Sequence, residues 1–172
     1  TQNDIETTIS SFLQGVDLDM LKRWYNGYNF LSDKVYNPFD ILLFIRNNFA
    51  FRNYWFTTGT PSFLVKLFQK SNYNLANFEN LKVDEDILNS FDIDRLNLET
   101  IMFQSGYLTI KEEIKRRNRI EYVLTYPNYE TKMSFNDYLI DYFVTNYQKK
   151  NSVKNGLIDL LEIADLENFE QL

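Results

Sequence analysis

Residues 107–114, YLTIKEEI, and 119–126, RIEYVLTY, each alternate apolar and polar side chains, and only KRRN at 115–118 lies between them. A period of two sends successive side chains to opposite faces of a strand, so each stretch reads as a half-buried β-strand. A short polar link makes them antiparallel neighbours. A lone two-stranded hairpin is marginal in water, so its apolar face must lie on another element. Pro127-Asn128 ends the second strand.

Helical signals precede this hairpin. Thr60-Pro61 opens a helix, 61–70, with Thr as cap and Pro at the first helical position, burying Phe63, Leu64, Leu67 and Phe68. Residues 71–82 are polar and read as a surface loop, and 84–91 (DEDILNSF) as a short acidic-capped helix. Asn97 caps LETIMFQS, which Gly106 closes as the glycine just beyond the helix. Helix, helix, helix, hairpin over residues 61–126 is the order of a winged helix.

The N-terminal third repeats the same grammar. Ile5, Ile9, Phe12 and Leu13 have helical spacing over 4–14, and Asp17 caps a helix over 17–25. Asn26-Gly27 stops it, and 28–30 with 34–37 form a small hairpin. Asn37-Pro38 starts a helix with the stripe Ile41, Leu42, Phe44, Ile45 and Phe49. FRNYWF at 51–56 reads as either a short strand or an extended approach. Two amphipathic helices, 134–148 and 157–171, follow the long hairpin. The expected class is mainly α with a small β component (α+β).

The residue inventory restricts the chemistry. The 172 residues contain no His and no Cys, which removes the commonest general base, the commonest zinc ligand and all thiol chemistry. A phosphate-binding loop needs closely spaced glycines ahead of Lys and Ser/Thr, and none of Gly15, Gly27, Gly59, Gly106 or Gly156 fits. The chain alone is therefore expected to be non-catalytic, with no metal site and no cofactor of its own. Glu113-Ile114-Lys115 and Glu130-Thr131-Lys132 match a Glu-x-Lys nuclease pattern, but neither follows a well-placed Asp, and both read as solvated surface. No apolar run is long enough to span a membrane, and the chain is expected to be cytoplasmic.

Two binding readings stay open. The formal net charge is −6, yet residues 111–119 (KEEIKRRNR) carry a local basic excess. Lys115, Arg116, Arg117 and Arg119 sit where a wing tip would touch phosphates, which makes DNA an alternative partner. Residues 157–171 carry Leu157, Leu160, Leu161, Ile163 and Leu166 on an acidic background, a stripe that suits a protein-interaction adaptor or the chain's own core.

WYNGYNF, VYNPFDIL, YWFTTGTPSFLVKL, FDIDRLNLETIMFQSGYLTI and YPNYETKMSFNDYL occur in this order. In these blocks, from about residue 2 to residue 170, the chain resembles a bacterial family of predicted AAA-ATPase-like proteins that usually carry a C-terminal PD-(D/E)XK nuclease-like domain. The resemblance implies a piece that follows the ATPase core and precedes the nuclease-like domain. It would comprise a helical lid-like segment (1–82), a winged-helix-like segment (83–150, its first helix 61–70) and a connector helix (151–172). Related ATPases place a Gly-x-Pro against the adenine, so Gly59, Thr60 and Pro61 become the implied nucleotide contacts. ATP with Mg would be held by the N-terminal ATPase core of the parent protein. The role implied is regulatory, coupling nucleotide state to the nuclease-like domain.

Overall fold

The computed structural model describes residues 1–55, 64, 78–88, 98–117 and 119–143, the last four by main chain alone. The fold is α+β. The N-terminal helices are α1 (Gln2–Thr7), α2 (Leu18–Tyr25) and α3 (Pro38–Arg46). Thr1 and Asp4 form a capping box on α1, and the Asp17 side chain accepts from the Met20 N–H at 3.0 Å to start α2. The continuous helix expected over 4–14 is broken: α1 ends at Thr7, and a separate 3-10 turn spans Ser10–Phe12. Thr7, Thr8 and Ile9 are consecutive β-branched residues, which weaken a helix at its end.

Asn37 caps α3 by accepting from the Phe39 N–H at 3.1 Å, with Pro38 at the first helical position. The face it buries is Asp40, Ile41 and Phe44; Leu42, expected in the apolar stripe, is 66% exposed. Leu21, Tyr25, Ile41 and Phe44 anchor the N-terminal core. Phe51 packs on it, 4.8 Å from Phe44 between ring centroids and stacked on Tyr25 at 6.2 Å. The Tyr25 hydroxyl donates to the Arg52 carbonyl at 2.9 Å and accepts from the Arg52 N–H at 3.0 Å, fixing the extended segment after α3.

Two short strands, β1 (Asn26–Tyr28) and β2 (Val35–Tyr36), pair antiparallel. The larger sheet has three antiparallel strands in the order β3-β5-β4, with β3 Leu81–Asp84, β4 Thr109–Arg116 and β5 Arg119–Thr125. The β4–β5 hairpin is the one the alternation predicts, paired from Thr109↔Thr125 to Arg116↔Arg119 with a one-residue register shift between Ile110 and Glu112. β3 departs from expectation: the end of the supposed 71–82 loop is a strand, pairing Leu81↔Leu124 through Asp84↔Glu121. A 3-10 turn, Glu85–Leu88, follows it, and α4 (Leu98–Gln104) precedes β4. Gly106 ends α4 at φ +82, with its N–H on the Phe103 carbonyl at 3.1 Å and the Tyr107 N–H on Met102 at 2.8 Å.

The last described helix, α5 (Tyr129–Phe143), begins five residues before the expected 134. The Asn128 side chain accepts from the Thr131 N–H at 2.9 Å, so the Pro127-Asn128 pair that ends β5 also starts α5. By its contacts the chain divides into Thr1–Phe135 and Asn136–Leu172; the boundary expected at 82/83 falls inside the first unit, and of the second only 136–143 is described. Leu64 is helical and buried, whereas the rest of 61–70 and all of 157–171 lie outside the described residues. Among the described residues, no helix is long and apolar enough to cross a membrane.

Candidate functional site

Asp40 and Glu130 stand in the first turns of α3 and α5 and are both fully buried. A helix N-terminus favours a carboxylate through its unsatisfied N–H groups, but removal from water opposes the charge more strongly. The Glu130 Oε1 accepts from the Trp55 N–H at 2.9 Å. Its Oε2 and both oxygens of Asp40 have no hydrogen-bond partner of good geometry among the described residues. Asn37 and Glu130 flank Asp40. Burial raises the proton affinity of both acids, and the neighbouring Asp40 raises that of Glu130 further. Among the described residues no Lys or Arg offsets either one.

The surroundings are polar and closely fitted. The Tyr28 hydroxyl lies toward Thr131 and Asn128, and burial pushes it up to about 12. Gly27, at φ +144, lies so close to the chain before α5 that a Cβ there would sit 1.7 Å from the Pro127 carbonyl oxygen. On the far side of Tyr28, Thr109 joins the small sheet to β4: its hydroxyl accepts from the Asn29 N–H at 2.7 Å and donates to the Asn29 carbonyl at 2.9 Å. Tyr28, Asn37 and Trp55 also line an open groove of about 330 Å³, together with Phe30 and Gly106. A Cβ on Gly106 would meet the Tyr28 and Trp55 rings at 3.6 and 3.7 Å. The groups around the acid pair are thus also the walls of a surface groove.

The residues singled out from sequence are distributed differently. Gly59, Thr60 and Pro61 lie outside the described residues, a few positions beyond Trp55. Lys115, Arg116, Arg117 and Arg119 gather at the tip of the β4–β5 hairpin, but acids interleave with them. Lys115 pairs with Glu113 at 3.0 Å and Arg116 with Glu121 at 3.1 Å. Arg119 lines a hollow with Asp84, Glu85 and Asp86, which β3 brings alongside β5. Arg117, at φ +38 in the turn, has no ion pair among the described residues. Of the Glu-x-Lys matches, Glu113 and Lys115 are a surface pair as expected. The surface reading of Glu130 is corrected: it is buried, while Lys132 reaches outward to Glu79. Among the described residues, no group of three or more His, Cys, Asp or Glu could hold a metal ion.

Sequence reasoning missed the acid pair. The available signal was a carboxylate inside an apolar helix start, FDILLF at 39–44, and another two residues after Asn128.

The whole chain is 36% identical to a protein of Azotobacter chroococcum mcd 1 described as "Uncharacterized protein in vnfD 5'region", and it spans 33% of that relative's length. No family model matches the chain, and no solved structure matches it.

Proposed function

We propose that this chain is a non-catalytic regulatory piece of a longer, AAA-ATPase-like protein, and that it relays the state of a nucleotide held by another part of that protein to a nuclease-like domain. Gly59, Thr60 and Pro61 would meet the nucleotide. The observation that carries the reading is the Trp55 N–H bond to Glu130, which ties the segment leading into Gly59 to the start of α5. A shift at Gly59 would pass through that bond to the helix that leaves the β4–β5 hairpin.

Two further observations support the reading. A strand, a 3-10 turn, a helix and a long hairpin, with the first strand paired to the last, would suit a segment that moves as one body. The relative extends well beyond the region it shares with this chain, leaving room for an ATPase core and a further domain. In the full-length protein, Pro61→Ala is expected to weaken ATP binding or ATPase activity. Unchanged nucleotide affinity and turnover would refute the relay.

A further inference from the structure

Two buried carboxyl groups, Asp40 of α3 and Glu130 at the start of α5, are neighbours; the main chain at Tyr54 and Trp55 donates to Glu130, and among the described residues no cation offsets either acid. Like charges that close in a buried setting do not both ionise readily, because each charge is desolvated and repels the other. A single proton relieves both problems, since the protonated acid becomes a donor to the ionised one. The orphaned oxygens, Asp40 Oδ1 and Oδ2 and Glu130 Oε2, are the atoms such a bond would use.

We propose that Asp40 and Glu130 share one proton at neutral pH, and that its loss loosens the join between α3, the start of α5 and the main chain at Trp55. The device goes beyond the nucleotide relay and does not depend on it. It also controls the groove, because Tyr28, Asn37 and Trp55 line that groove and surround the pair.

Other titratable groups facing the pair are Tyr25 of α2, Tyr28 of β1, and Tyr54 in the turn before Trp55. Burial raises all three phenols, so they stay neutral while the acids titrate. An acid whose native form holds its proton more tightly than the unfolded chain stabilises the fold fully below the unfolded pKa, and that stability is lost as pH rises through the native pKa. For Glu130 the window opens near the ordinary carboxylate value of 4.5 and closes at about 8.

The test is urea unfolding of the full chain from about pH 6 to about pH 9, followed by tryptophan fluorescence. The wild type is expected to lose up to about tenfold in its folding constant per pH unit, the limit for one proton. Glu130→Gln keeps an acceptor for Trp55 and a permanent donor toward Asp40, so its profile flattens over the same range; Asp40→Asn flattens it too. A pH-independent wild type, or an unchanged slope in Glu130→Gln, overturns the proposal. If neither variant folds, infrared spectroscopy of the wild type decides. A protonated-carboxyl band that persists at neutral pH and disappears on alkaline titration supports the shared proton, and absence of that band at neutral pH overturns it.

Discussion

Gly27→Ala is the substitution whose consequence the geometry defines most closely. The missing side chain at Gly27 is occupied by main chain: an added Cβ falls 1.7 Å from the Pro127 carbonyl oxygen and 2.6 Å from its carbon. An ordinary carbon–oxygen contact is about 3.3 Å, so β1 and the start of α5 would have to part by more than an ångström. Neither side yields easily. Asn26 and Tyr28 are paired to β2, and Asn128 and Glu130 hold the first turn of α5. Overpacking of this kind costs about 1–3 kcal/mol. The φ of +144 adds roughly another 1–2 kcal/mol for a residue with a Cβ. The sum, about 2–5 kcal/mol, is a large share of the ~5–15 kcal/mol of a typical domain. Gly15→Ala is the control, because Gly15 also has positive φ, +79, but nothing lies within 4 Å of its Cβ position. It should lose only the conformational part, about 1–2 kcal/mol. Urea titrations of both variants, read by circular dichroism, measure the difference. If Gly27→Ala costs no more than Gly15→Ala, the close approach of β1 to Pro127 is not a constraint on the fold.

Tyr25→Phe removes a hydroxyl that both donates to and accepts from the Arg52 main chain, and should destabilise the chain by about 1–3 kcal/mol in the same assay; a loss below about 0.5 kcal/mol would show that the 51–53 segment is held by its rings alone. At the hairpin tip, four basic residues (115, 116, 117 and 119) lie among five acidic ones (84, 85, 86, 113 and 121). Labelled duplex DNA in an anisotropy titration should therefore show no salt-steep binding at physiological ionic strength. Tight binding that falls steeply with salt and is abolished by Arg117→Glu with Arg119→Glu would instead make the tip a nucleic-acid contact.

The parts legible in the sequence are those whose causes are local. Alternation over 107–114 and 119–126 predicts the β4–β5 hairpin, Asn37-Pro38 predicts the start of α3, and Gly106 marks the end of α4. The parts missed have causes remote in the chain. β3 is four residues at the end of a polar run, and it becomes a strand because β5, some forty positions later, offers an unpaired edge. α5 begins early because Asn128 caps it, a signal obscured by the same Pro-Asn pair reading as a strand stop. The burial of Glu130 depends on Asp40, ninety positions earlier, and on the Trp55 main chain. Nothing in a Glu-x-Lys window records either partner. The same remoteness undoes the wing-tip charge: the run 111–119 is basic when read alone, but β3 and the 3-10 turn after it add Asp84, Glu85 and Asp86 beside Arg119.

The acid pair is hard to explain as a contribution to stability. Buried charged groups repay their desolvation only when well paired, and apolar residues of similar volume often serve as well or better. Here the apolar alternative is close at hand, because Asp40 is followed by Ile41 and lies on the same buried face as Phe44. Helix N-termini soften the penalty at both sites, since each carboxylate lies in a first turn, but they do not remove the repulsion between the two acids. An acid pair does supply something that a Leu–Leu contact lacks, namely a join whose strength changes with one proton. Its position gives that property a consequence. Asp40 belongs to the N-terminal helices and Glu130 to the helix after the long hairpin. The main-chain bond from Trp55 holds the segment that runs toward Gly59. One protonation step therefore acts on all three segments, and on the groove they border.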